Sequence, residues 1–284
     1  MPRDCNAGSS TTGASAGDND AMSKRLFLRG AASCFALLAI LARPAAALES
    51  RLLHAGDSDY RVVVLDLSRD ALELRWREAD GKPYGSLDAL RRVGEAEGRP
   101  LLFATNAGIY DLEYRPLGLT IANGSTLRPL NNARASAGSR GNFAMQPNGI
   151  FYVDKAGRAG VMRTSAWTRP GIEARLATQS GPMLVIDGEI NPTFIEKSDS
   201  RKWRSGVCAP TPDRVVFAVS EMPVTFHAFA RVLREEVGCR DALYLDGSLS
   251  QIYTAADGYS GAPAVMVKPY AGMLAVFASE PASR

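Results

Sequence analysis

Histidine is nearly absent from this chain: there are two in 284 residues, His54 and His227. Cysteine is also scarce, at four. That argues against a Cys/His zinc site, which wants four ligands at short spacings. A Ser–His–Asp triad finds no footing either, with one histidine near the start of the body and the other on a helix-like segment. No G-x-S-x-G, S-x-x-K, H-E-x-x-H, P-loop or strand-coupled G-x-G-x-x-G is present. An excess of one charge sign is missing too. Lys and Arg number 33 against 30 Asp and Glu. No block of like charge interrupts the body, so a role on nucleic acid or a membrane surface has no electrostatic basis. What is present is ordinary globular material, 46% apolar and 22% charged.

Residues 1–47 read as an N-terminal extension and export signal. A basic stretch with Lys24, Arg25 and Arg29 precedes a short apolar run, and Pro44-Ala45-Ala46-Ala47 offers small residues for cleavage. The apolar run is shorter than the roughly 20 residues a membrane span needs, so no stable insertion is expected after cleavage. The expected location is the periplasm or the medium. The segment holds five basic and three acidic residues, so removing it brings the chain close to neutrality. It also carries away Cys5 and Cys34, leaving Cys208 and Cys239 in a compartment where thiols oxidise. Whether they pair depends on a Cα separation that composition does not supply. Residues 48–284 contain no linker, repeat or charge block and are expected to form one domain.

Runs at 60–67 and 71–76, joined by Ser68-Arg69-Asp70, suggest a hairpin. Ser86 is placed to cap a helix running to about residue 97, with Leu87, Leu90 and Val93 on one face. Strands are expected at 100–105, 149–153, 159–162, 183–186, 215–219 and 242–245. Thr225 is placed to cap a second helix carrying Phe226, Phe229, Ala230 and Leu233, which Gly238 stops. Strands outnumber helices and do not alternate with them. The expected class is α+β, a single domain with a mixed, mostly antiparallel sheet flanked by a few helices.

Polar, glycine-bearing segments recur at strand ends: Thr105 to Tyr110, Gln179-Ser180-Gly181-Pro182, Arg204-Ser205-Gly206, and Asp246 to Gln251. Glycine beside an amide, hydroxyl or carboxylate lets backbone and side chain both approach a ligand. The same residues also make ordinary turns. Taken in order, Asn106-Ala107-Gly108-Ile109-Tyr110, Gly141-Asn142-Phe143, Pro147-Asn148-Gly149, Ala177 to Val185, Arg204-Ser205-Gly206-Val207 and Leu243 to Gly247 resemble the phosphodiester glycosidase family. The resemblance is strongest to its small exported bacterial branch and covers nearly all of the body.

The resemblance implies hydrolysis of the bond between a sugar's anomeric carbon and a phosphodiester, with a sugar phosphodiester as partner; no cofactor is expected and no metal ligand is singled out, while a metal requirement is not given by the sequence. It implies catalytic roles for Asp246, Arg204 and Asn106. Substrate binding would fall to Tyr110, Asn148, Gln179, Ser180, Gly181, Asn191, Gly247, Ser248 and Ser250. It also places strands beside Cys208 and Cys239 in one sheet, close enough for the two to pair. Two departures stand out: Ser248-Leu249-Ser250 follows the aspartate, and Asn191-Pro192 stands where the branch tends to have histidine before proline.

The chemistry suits the residues. A departing phosphomonoester has a second pKa of about 6 and needs little protonation. A guanidinium answers the phosphate with a planar donor fork, and a carboxylate answers the positive charge at the anomeric carbon. Glu196 and Asp199 are candidates for a second carboxylate, against the plainer reading of a solvated loop. A non-catalytic phosphoglycan binder or a polysaccharide-assembly protein is the alternative from another class.

Overall fold

Buried side chains alternate along the strands between two faces, and that alternation sets the layers. A computed structural model describes residues 48–133, 141–167, 171–246, 250–266 and 269–279. In strand Ser58–Asp66, Val63 and Leu65 face a central core while Tyr60, Val62 and Val64 face the opposite side. Strand Arg214–Ser220 repeats the division, with Val215, Phe217 and Val219 inward. Strands buried on both faces read as continuous apolar runs, which is why these segments were legible.

Among the described residues the strands form one seven-stranded and two five-stranded sheets. All three supply the central core, through Phe217 from the first, Phe103 and Leu274 from the second, and Phe151 and Leu176 from the third. Helix α1 (Leu87–Ala96) covers the outer face of the second sheet, and helix α2 (Phe226–Glu235) that of the first. Both begin where expected. The Ser86 hydroxyl accepts from Ala89 N at 3.0 Å, and that of Thr225 from Ala228 N at 3.1 Å. Gly94 lets α1 pack closely, since a Cβ there would lie 2.7 Å from the Phe277 ring.

Three expectations need correction. The single mixed sheet is three sheets, and every pairing among the described strands is antiparallel. The architecture is strongly β-rich, with two α-helices described. The runs at 60–67 and 71–76 are not a hairpin. Strand Ser58–Asp66 pairs with Glu49–Ala55, whereas Leu72–Arg75 joins a different sheet beside Met273–Phe277. The turn between them carries the chain from one sheet to the next, held by Asp66 N donating to Asp70 Oδ2 at 2.8 Å.

Cys208 and Cys239 are disulfide-bonded, with Cα atoms 5.9 Å apart. The bond ties strand Ser205–Thr211 to the segment that follows α2.

Candidate active site

Strand direction brings the key groups together. Strands Ser205–Thr211 and Ala242–Tyr244 are antiparallel neighbours, with Gly206 opposite Tyr244. Arg204, just before the first, and Asp246, just after the second, therefore emerge at the same edge of the sheet. Asn106 arrives at the end of Leu101–Asn106 in another sheet. Its Nδ2 donates to Ser205 Oγ at 2.9 Å and joins the two. The Ser205 hydroxyl lies 3.2 Å from Asn106 Oδ1 and 3.4 Å from the Asp246 carbonyl, which also accepts from Ser250 Oγ at 2.7 Å.

Asn106, Arg204, Asp246 and Ser250 line a cleft of about 430 Å³, within the range of small-molecule sites. Its wall includes Asn106, Tyr110, Asn142, Lys202, Arg204, Asp246, Ser250 and Tyr270. Arg204 is 1% exposed. Its Nε donates to the Val224 carbonyl at 2.9 Å and its NH2 nitrogen to the Ser200 carbonyl at 3.1 Å. The guanidinium lies 3.5 Å from the centre of the Phe226 ring, which itself stacks on Phe194. Among the described residues its partners are carbonyls, aromatic rings and the Tyr244 hydroxyl, none of them a carboxylate. Burial pulls its pKa down, with Tyr244 opposing. It is a desolvated cation whose cost an incoming anion would offset.

Asp246 carries the opposite charge into the same space. Burial, and after it the Asp246 charge, pushes the Tyr110 and Tyr270 hydroxyls above their usual range. Tyr244 is raised by burial, opposed by Arg204 and reinforced by Asp246. Tyr110 donates its hydroxyl to the Pro269 carbonyl. The other carboxylate lining the cleft, Asp111, is engaged by Arg115, whose Nε lies 2.8 Å away.

The structure brings Asn106, Tyr110, Arg204, Asp246 and Ser250 to this cleft and leaves other candidates outside its lining. Gln179 is committed inward: its Oε1 accepts from Leu119 N at 2.9 Å and Asn131 N at 3.0 Å, and its Nε2 donates to Asn131 O at 2.8 Å. Ser180 Oγ donates to Leu245 O. Asn148 Nδ2 donates to Phe143 O, and Gly181 packs against that side chain, where a Cβ would lie 3.0 Å from Nδ2. Asn191 Nδ2 donates to Met183 O while its Oδ1 accepts from Thr193, so the departure from histidine does not touch the cleft wall. Each is a buried polar group satisfied by a strand or turn.

Glu196 and Asp199 line a separate cavity of about 610 Å³ with Arg201 and His227, not the Asp246 cleft. Gly247 and Ser248 lie outside the described residues. Lys202, Tyr270 and Tyr114 were not anticipated, and Asn142 and Ser205 stood in singled-out segments without a role. A signal for Lys202 existed: Ser200, Lys202 and Arg204 follow the period-two spacing that turns alternate residues to one side. All three line the cleft. Among the described residues no group of three or more His, Cys, Asp or Glu side chains is placed to hold a metal ion.

A profile of the phosphodiester glycosidase family matches residues 100–276. A protein of Escherichia coli strain K12, named "Uncharacterized protein YigE", is 36% identical over 184 residues, covering 65% of this chain and 70% of its own. Zebrafish N-acetylglucosamine-1-phosphodiester alpha-N-acetylglucosaminidase, solved as a catalytic domain auto-inhibited by its pro-peptide, superposes with a TM-score of 0.57 at 15% identity. That likeness covers 83% of this chain and 84% of the zebrafish one, and shows a shared fold.

Proposed function

This chain belongs to the phosphodiester glycosidase family, and from that premise we propose that it is an exported hydrolase of glycosyl phosphodiesters. The observation that carries the reading is Arg204, a buried cation without a carboxylate partner among the described residues, lining one cleft with Asp246. The phosphate of the substrate sits against Arg204, and the anomeric carbon against Asp246. Water attacks that carbon, its bond to the phosphate oxygen breaks, and the products are a free sugar and a phosphomonoester. Asp246 stabilises the positive charge that develops on the sugar and takes up the proton lost by water. The leaving phosphate needs little protonation, so a single carboxylate at the anomeric carbon suffices. Asn106 and Ser205 hold the two sheet edges in register beneath the reacting atoms.

Export is supported by the order of basic, apolar and small residues in 1–47, a segment outside the described residues. The Cys208–Cys239 disulfide suits an oxidising compartment. No helix among the described residues is long and apolar enough to cross a membrane. The name of the zebrafish protein suggests N-acetylglucosamine as the first sugar to try. Incubation with UDP-N-acetylglucosamine, or with a nitrophenyl phosphodiester of N-acetylglucosamine 1-phosphate, should release free sugar. Tight binding without release would favour the phosphoglycan-binding alternative.

A further inference from the structure

The cleft grades from a buried polar floor to an exposed lip. Asn106, Arg204 and Ser250 are each 1% exposed, whereas Leu112, in the same wall, is 94% exposed. A single exposed leucine is ordinary on a protein surface. This one sits on a lobe, residues 110–116, that also sends the rings of Tyr110 and Tyr114 into the cleft wall. The rings are nearly parallel, 20° apart with centroids separated by 5.9 Å.

The lobe is stiffly built. The Asp111 carboxylate accepts from Glu113 N at 3.0 Å, Arg115 N at 2.9 Å and Arg115 Nε at 2.8 Å. Tyr114 has φ of 57°, in the left-handed region where a bulky side chain is an outlier. Trp76 Nε1 pins its carbonyl at 2.9 Å. A strained residue persists when its surroundings over-determine it, and such residues gather at ligand clamps. Here the strained residue presents an aromatic ring to the cleft.

We propose that this lobe is the aglycone platform of the cleft, with Tyr114 and Leu112 gripping a ring-bearing group esterified to the far side of the phosphate. The inference rests on the hydrolase reading above. Arg204 and Asp246 hold the phosphate and the sugar it leaves, so whatever lies beyond the phosphate runs outward to the lip. A ring fits that lip better than an acyl chain. Tyrosine faces favour stacked rings, while the charged residues Asp111, Glu113 and Arg115 alternate with Leu112 and Tyr114 along the lobe and interrupt its apolar surface.

The test compares nitrophenyl and methyl phosphodiesters of one sugar 1-phosphate. Tyr114→Asn keeps a residue type that tolerates positive φ, and Leu112→Ser alters a side chain that packs on little. Taking each variant relative to wild type on the same ester cancels leaving-group reactivity. Tyr114→Asn should lower kcat/KM for the nitrophenyl ester about five- to tenfold, and Leu112→Ser about two- to threefold. The methyl ester should change less than about twofold in either. Equal losses on both esters, or none, overturn the platform. Calorimetric binding of the same esters separates the two readings. If neither ester is cleaved, yet the nitrophenyl ester binds wild type more tightly and loses that margin in Tyr114→Asn, the hydrolase reading falls and the platform stands. If binding of the nitrophenyl ester does not distinguish the variants from wild type, the platform falls.

Discussion

Asp246→Asn removes one negative charge while leaving shape almost unchanged, so the structure separates its catalytic effect from its structural one. The Asp246 carbonyl, which accepts from Ser250 Oγ at 2.7 Å and lies 3.4 Å from Ser205 Oγ, is untouched by the change. The strand that delivers the residue is buried along its whole length. Stability should therefore fall by less than about 1 kcal/mol, which in a domain of this size is roughly 2–4 °C in Tm. Arg204 and Asn106 remain, so KM should move less than about threefold. The loss should appear in kcat, by at least about 100-fold, because a positioned acid–base or charge-stabilising group contributes that much or more. A factor of 100 corresponds to about 2.7 kcal/mol of transition-state stabilisation. The assay is release of free sugar from a nitrophenyl glycosyl phosphodiester, with melting curves run in parallel. A variant that keeps wild-type kcat at an unchanged Tm would refute the assignment. So would a fall in kcat matched by an equal fall in stability.

Gln179→Ala should cost roughly 2–4 kcal/mol in urea denaturation, because it strands the amides of Leu119 and Asn131 and the Asn131 carbonyl, while kcat/KM per folded molecule stays within about twofold. Cys208→Ser with Cys239→Ser opens a link across 31 residues, for which chain entropy suggests about 3–4 kcal/mol; calorimetry should show the loss, and reduction of the wild type should reproduce it. Asp70 is buried, and burial pushes its carboxyl above the ordinary 3.8. The folded state thus holds the proton more tightly than the unfolded one, so this group's contribution is full below that value and declines as pH rises through the folded pKa. Asp70→Asn should flatten the stability–pH curve in that window, and an unchanged curve would contradict the burial argument.

The helices were legible because local chemistry specifies them: a hydroxyl at Ser86 or Thr225, then apolar residues at helical spacing. The central strands were legible for a different reason, their two buried faces. Sheet membership was not, because it depends on partners far along the chain. Leu72–Arg75 follows Ser58–Asp66 closely in sequence yet pairs with Met273–Phe277. Strand Glu49–Ala55 was missed altogether. It lies at the edge of its sheet with none of its seven positions buried, four exposed and three half-buried, so neither a continuous apolar run nor a clean alternation marks it.

The cleft gathers Asn106, Tyr110, Arg204, Asp246 and Ser250 and leaves the other described candidates elsewhere, and the division has a physical cause. A polar residue beside glycine at a strand end has two fates. It can face a cleft, as Asp246 does, or satisfy backbone groups in the interior, as Gln179 and Asn191 do. Both fates favour the same residue types, since a short amide or carboxylate bonds a neighbouring backbone as readily as a ligand. What separates them is whether internal partners consume every donor and acceptor. The Gln179 amide meets Leu119 and Asn131 on both of its polar atoms. Arg204 shows the other outcome, because its backbone partners take hydrogen bonds without supplying a compensating charge. A buried guanidinium whose partners among the described residues are neutral is oriented but not neutralised by them, and on the proposed reading the cleft beside it is where a phosphate completes the balance.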